Sequence, residues 1–262
     1  MIEGNKIYCG DNLDLIKQVD DNSCQITVTS PPYSNVRKYQ GYSWDFESLA
    51  KELCRVTSEG GIVCWVVNDQ YVEGSRDLTS FRQAIYFKDV CGFNIHDVMI
   101  YQKSGFNFPA NNRYHQVYEY IHILVKGKLK TFNPIIDRKN AYPGQKAHGL
   151  HRGADENDYK DMSKIVKAKP VGEYGKRYNV WYVKVGGGHV TKDRFAHKHP
   201  AIFPESLAGD LIKSFSNEGD LCLDPFNGSG TTTKMAKLLK RNYLGFDCSQ
   251  EYCDIANKRL EI

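Results

Sequence analysis

The sequence predicts a three-layer α/β fold built on a mostly parallel sheet, and three observations carry that expectation. Residues 62–67 form a short unbroken apolar run, the pattern of a strand covered by helices on both faces. Residues 221–260 alternate strand-like and helix-period segments as β-α-β-α, the repeating unit of a doubly wound sheet. The length, 262 residues, is enough for one such domain with an insertion or for two small domains.

Taken in order, residues 25–29 read as a strand because β-branched side chains dominate and Pro31-Pro32 closes the run. Residues 46–56 place apolar side chains at helical spacing, with the stop expected at Gly60-Gly61. The strand over 62–67 follows, and residues 98–101 and 120–125 read as further strands. Between about 128 and 196 the composition turns to Lys, Gly, Asn and Tyr. Pro143-Gly144 and Gly186-Gly187-Gly188 break any period there, and few elements can be assigned. Regularity returns at Pro204-Glu205, which opens a helix to about Phe215, since proline is favoured in a first turn. Residues 221–223, 231–239, 243–246 and 251–260 then read as strand, helix, strand and helix. The expected organisation is a body of residues 1–127 and 197–262, with 128–196 as a long irregular insertion of the kind that serves function.

Composition narrows the class. The chain is 41% hydrophobic and 25% charged, ordinary for a soluble globular protein. No apolar run reaches the roughly 18 residues of a membrane span, and the first residues lack the pattern of a secretory signal. A cytoplasmic location and no membrane partner are therefore expected. The eight cysteines are dispersed without a Cys-x-x-Cys pair, and no His-Glu-x-x-His helix occurs, so free thiols and no metal are expected. Net charge is only +4, yet residues 126–198 hold 17 Lys and Arg against 7 Asp and Glu, leaving the remainder acidic. Such a segment suits a polyanion, because phosphates attract lysine and arginine whatever the sequence; a solvated surface is the other reading.

Two short stretches carry chemistry. Asp224-Pro225-Phe226-Asn227-Gly228-Ser229-Gly230-Thr231 follows a strand and opens a helix, and its glycines let backbone approach a ligand closely. The third glycine of a dinucleotide turn is missing near Thr233, and no Gly-Lys-Ser/Thr marks a P-loop. About twenty residues on, Asp247 ends the next strand, where a carboxylate can accept hydrogen bonds from the ribose hydroxyls of a nucleoside. Asp224 can meet the remainder of such a ligand; alternatively both aspartates cap the helices that follow.

The second stretch is Thr29-Ser30-Pro31-Pro32-Tyr33. Two prolines fix two φ angles and extend the residue before them, so the loop is stiff. A hydroxyl, rigid carbonyls and an aromatic ring stand side by side there. Tyr33 can stack on a planar base, while the Ser30 hydroxyl and the Pro31 carbonyl can accept the two hydrogens of an exocyclic amino group. Such acceptors draw the nitrogen toward tetrahedral geometry, free its lone pair and stabilise the positive charge that develops on it. Attack on a positioned methyl group then needs no covalent enzyme intermediate.

Ser-Pro-Pro-Tyr after a strand, with Asp-Pro-Phe-x-Gly-Ser-Gly-Thr far downstream, resembles the amino-methyltransferases of bacterial and phage DNA. The order of catalytic loop, recognition region and cofactor turn is similar to that of their β subclass. The resemblance covers both ends of the chain and implies a Rossmann-like fold, circularly permuted, with S-adenosylmethionine as cofactor and double-stranded DNA as partner. It also implies cofactor contacts from Asp11, Ala201, Phe203, Asp224, Pro225, Phe226, Gly228, Ser229, Gly230, Thr231 and Asp247. A homodimer is a further implication of the subclass.

Serine at position 30 is typical of cytosine-N4 members, whereas adenine-N6 members mostly carry Asp or Asn. Cytosine N4 is the expected target and adenine N6 the alternative. Arg37 and Lys38 after the loop, and Lys164, Lys167, Lys169, His189 and Arg194 in the basic segment, are the expected DNA contacts. Cytosine-C5 chemistry is excluded, because it uses a cysteine after proline and none of the nine prolines precedes one. Protein-glutamine and RNA amino-methyltransferases usually carry the glycine turn before Pro-Pro-Tyr, the reverse of the order here. An inactive DNA-binding module would have no reason to keep both the turn and the Ser30 loop.

Overall fold

A computed structural model describes residues 2–32, 44–105, 111–145, 170–186 and 188–261. The chain opens with β1 (Lys6–Cys9) and the short α1 (Asn12–Ile16), capped by Asp11, whose carboxylate accepts from Leu13 N and Asp14 N. Strand β2 (Cys24–Thr29) leads to the Pro-Pro loop. Helix α2 (Phe46–Val56) starts on Asp45, which accepts the Ser48 amide, and buries Leu49, Ala50, Leu53 and Val56 along one face.

Strand β3 (Thr57–Val67) begins directly where α2 stops. Gly60-Gly61 therefore lies inside the strand rather than ending the helix. Gly60 has φ +77, and a Cβ there would sit 2.3 Å from the Lys130 side chain. A small hairpin follows, β4 (Tyr71–Val72) and β5 (Ser75–Arg76), turning on Glu73 and Gly74 at φ 48 and 85, as a tight two-residue turn requires. Next come α3 (Thr79–Asp89), β6 (Phe93–Lys103) and β7 (Tyr118–Lys126).

The middle of the chain contributes β8 (Ile136–Lys139), β9 (Tyr174–Lys176) and β10 (Val180–Val183), then one 3-10 segment at Arg194–Lys198. The last third supplies α4 (Glu205–Phe215), β11 (Leu221–Asp224), α5 (Thr231–Leu238), β12 (Asn242–Asp247) and α6 (Gln250–Arg259).

Among the described residues, eight strands form one sheet in the order β1-β12-β11-β2-β3-β7-β6-β10. Only β7 runs against its neighbours β3 and β6; the other pairings in this sheet are parallel. Alternation along the strands divides the core into two. Val63, Trp65, Val67, Leu223, Leu244 and Phe246 face α1, α2 and α3, where Ile16, Leu53 and Phe87 meet them. Helices α4, α5 and α6 pack in succession as the other helical layer, with Leu207, Leu211 and Ile212 buried. This is the expected three-layer, mostly parallel architecture.

By packing, the chain divides into a body of Met1–Asn133 with Asn179–Ile262, and a small unit of Pro134–Tyr178. These bounds differ from those of residues 128–196. Asn133 N donates to Ser214 O, and β10 pairs with β6 at the sheet edge, so both flanks belong with the body. In the small unit β8 and β9 form an antiparallel ribbon, with Arg177 ion-paired to Asp137. All eight cysteines are free thiols. Among the described residues, no helix is long and apolar enough to cross a membrane.

Candidate active site

The chain reverses its direction of travel across the sheet between β11 and β2. From β2 through α2 it moves to β3 on one side; from β11 through α5 it moves to β12 on the other. Crevices open at the carboxyl ends of strands where such a reversal occurs. A cavity of about 640 Å³ lies here. Ser30, Pro31 and Pro32 after β2 line it together with Asp224, Pro225, Phe226, Gly228, Ser229 and Thr231 after β11. Asp11, Ala201, Phe203 and Asp247 complete that part of the wall.

The glycine turn is closed by its own hydrogen bonds. Phe226 N donates to Asp224 Oδ1 at 3.1 Å, Asn227 N to Phe246 O at 2.8 Å, Gly228 N to Asp247 Oδ2 at 2.8 Å and Gly230 N to Asn227 O at 2.7 Å. Four amides that could otherwise cradle a phosphate are thus committed. Gly230 caps α5 at φ +79, and a Cβ there would lie 2.6 Å from Ala256 Cβ and 2.9 Å from its Cα. The turn is therefore pressed against α6, which fixes its height above the sheet.

Three carboxylates, Asp11, Asp224 and Asp247, stand at this end of the cavity. Burial pushes the Asp224 carboxyl up to about 6, against the pull of its bonds from Thr29, Thr232 and Phe226. Burial also raises Asp247, opposed by the amides of Ser249 and Gly228. Asp247 Oδ1 accepts from Ser249 N at 2.9 Å, so each of its oxygens already takes one backbone amide and keeps lone-pair capacity for a ligand hydroxyl. The helices themselves are capped by Gly230 and Ser249, so helix capping does not account for Asp224 or Asp247. An acid-lined, amide-poor pocket with Phe226, Phe203 and Pro225 on its walls suits a ligand bearing positive charge, hydroxyls and a flat ring. It is unsuited to a pyrophosphate.

Sequence reading missed what supports the turn. Arg259 is wholly buried. It donates to Ser229 O at 2.9 Å, to Ser229 Oγ at 3.2 Å and to Thr231 Oγ1 at 3.0 Å. Its remaining donors meet Glu205 Oε1 at 2.5 Å, Thr191 Oγ1 at 3.3 Å and Asp193 Oδ2 at 2.8 Å. Lys234 reaches the same two carboxylates at 2.7 and 2.8 Å. Burial opposes ionisation of Asp193 and Glu205, but the two cations outweigh it and hold both carboxyls below their usual range.

Thr29 joins the two halves of the site. Its Oγ1 donates to Asp224 Oδ1 at 2.6 Å, tying the base of the Pro-Pro loop to the strand beneath the turn. Pro31 is buried and Ser30 half-buried at the cavity wall. On the return segment, the Ala201 amide donates to His199 Nδ1 at 3.2 Å, and His199 packs edge-on against Tyr252 at 4.4 Å. His189 and Arg194 are exposed and do not line the cavity. Tyr33, Arg37, Lys38, Lys164, Lys167 and Lys169 lie outside the described residues.

Residues 24–258 match the DNA methylase family of N6 and N4 methyltransferases. The chain is 50% identical over 247 residues to the orphan methyltransferase M.BamHII of Bacillus amyloliquefaciens, covering 94% of this chain and 91% of that one. The cytosine-N4-specific PvuII DNA methyltransferase shares the fold with a TM-score of 0.72 at 18% identity, over 100% of this chain and 88% of that chain. M1.HpyAVI in complex with SAM does so with a TM-score of 0.62 at 23% identity, over 97% of this chain and 99% of that chain.

Proposed function

The chain belongs to the N6/N4 DNA methylase family, and from that premise we propose that it methylates cytosine N4 in double-stranded DNA, using S-adenosylmethionine. The observation that carries this reading is one cavity with two chemistries: a Ser30-Pro31-Pro32 wall beside an acid-lined pocket, joined through Thr29 and Asp224. The expected setting is the cytoplasm of a bacterial or phage-infected cell.

The pocket fits the cofactor by charge and shape. Asp224 would face its cationic amino-acid end, Asp247 its ribose hydroxyls and Asp11 its adenine, with Phe226 and Phe203 against apolar faces. When bound, it supplies a methyl carbon on a positively charged sulfur, which accepts a nitrogen lone pair as the carbon–sulfur bond breaks. A duplex hides the amino group, so the target nucleotide must be turned out of the stack. Ser30 Oγ and the Pro31 carbonyl would take the two amino hydrogens, and Tyr33 would stack on the ring. The stiff loop keeps these acceptors in place without reorganisation as charge develops on nitrogen, and the proton that the methylated nitrogen sheds passes to water.

Mass spectrometry of nucleosides from duplex DNA treated with the protein tests this directly. N4-methylcytosine is expected. N6-methyladenine alone overturns the choice of base, and no methylated nucleoside overturns the DNA substrate.

Asp224 gives the binding step a pH dependence. In the protein without ligand its carboxyl stays protonated up to about pH 6. A cationic ligand favours the ionised form, so affinity should be full above pH 6 and fall as pH drops through it. By calorimetry, S-adenosylmethionine should bind about tenfold more weakly at pH 5 than at pH 7. Thr29→Val removes a bond that favours the charged carboxylate and should move the midpoint upward. A flat profile between pH 5 and 7 would show that Asp224 does not face the cation.

A further inference from the structure

Away from its acidic end, the same cavity is lined by Tyr71, Arg76 and Arg113. Tyr71 and Arg76 face each other across the β4–β5 hairpin. Both guanidiniums converge on the tyrosine ring, with Arg113 Cζ 4.0 Å and Arg76 Cζ 5.8 Å from its centroid. Arg76 is anchored, since its Nη1 donates to the Asp69 carbonyl at 2.9 Å. The Asp69 carboxylate is turned to the start of α3, accepting the Ser80 amide at 2.8 Å.

Charge balance marks this cluster out. Among the described residues, three lysine or arginine side chains line the cavity. Lys103 is ion-paired with Glu119, whereas neither Arg76 nor Arg113 pairs with a carboxylate among the described residues. Two guanidiniums gathered on one ring repel each other, and the ring face only partly offsets this. An oxyanion between them would remove the repulsion, and the planar fork of each guanidinium matches phosphate oxygens in pairs. Tyr71 is 40% exposed and Arg113 is also exposed, so the cluster stands open to solvent.

We propose that Tyr71, Arg76 and Arg113 form a phosphate site for the DNA strand that carries the target base. It would grip the backbone beside the nucleotide turned into the cavity, on the body of the protein rather than in the basic segment. The inference rests on the reading of the site as a DNA methylase centre. Tyr71 acts as a positioning residue, aligning the two guanidiniums.

The test uses the full chain and a short double-stranded oligonucleotide, with affinity titrated at several salt concentrations. Each lost phosphate contact should lower the log–log salt slope by about 0.9, so Arg76→Gln with Arg113→Gln should flatten it by about 2. Binding of S-adenosylmethionine should stay unchanged, and Arg76→Lys with Arg113→Lys should restore most of the slope. The single exposed change Arg113→Gln, expected to flatten the slope by about 1, covers the case in which the double variant misfolds. An unchanged slope in variants that bind cofactor normally overturns the phosphate site. Failure of the unaltered protein to methylate any duplex would instead overturn the functional reading.

Discussion

Arg259→Met is expected to lower folding stability by about 3–5 kcal/mol, the range for breaking a buried ion pair by removing one partner. Methionine keeps much of the volume but strips one of two cations from Asp193 and Glu205. It also leaves the Ser229 carbonyl and the Thr231 hydroxyl without the donor they share. Lys234 still touches both carboxylates and sets the lower end of the range. Urea unfolding of the variant measures the loss; a change below about 1 kcal/mol would show that Lys234 alone satisfies the pair. Arg259→Lys separates charge from geometry. It keeps the cation yet cannot hold Ser229, Thr231 and Asp193 at once, so it should fold well and raise the KM for S-adenosylmethionine more than it lowers kcat.

That network explains why the glycine turn was legible in sequence while its support was not. Residues 224–231 are contiguous, and each glycine answers a local steric demand. The partners of Arg259 come from positions 191, 193, 205, 229 and 231, brought together only by the fold. The cue that existed was a lone arginine on the buried face of α6, beside Ile255 and Ala256. A fully buried guanidinium is rare enough to demand partners.

The same contrast runs through the fold. Helix α2 was plain from its apolar periodicity, and in α4 that periodicity coincides with the start signal of Pro204. Helix α3 was not read. Its N-cap is Leu78 at φ 54, with no side-chain cap, and its first amides are met instead by Asp77 and by the distant Asp69. Strand β10 hid in a basic stretch, although Val180-Trp181-Tyr182-Val183 alternates exposed and buried. Composition outweighed a short period-two pattern there. Gly60-Gly61 misled in the other direction, since a glycine pair reads as a stop but here lets β3 pass close beneath Lys130.

The Pro-Pro loop yields the other large expected effect. Ser30→Ala should lower kcat for methyl transfer by about 10²–10³-fold, the usual loss when one positioned group that stabilises transition-state charge is removed. The reason is geometric. Pro31 and Pro32 stiffen the chain at the carboxyl end of β2, beside the pocket, so the backbone does not readily adjust to fill the place of Oγ. Thr29 is committed to Asp224 at 2.6 Å and is not available as a substitute. Cofactor affinity should change little, because the acids assigned to the cofactor are held by backbone and by Thr29 rather than by position 30. Single-turnover methylation of duplex DNA, with calorimetric binding of S-adenosylmethionine alongside, separates the two quantities. Equal losses in both would make Ser30 part of the cofactor pocket, and an undiminished single-turnover rate would move the amino-group acceptor elsewhere in the loop.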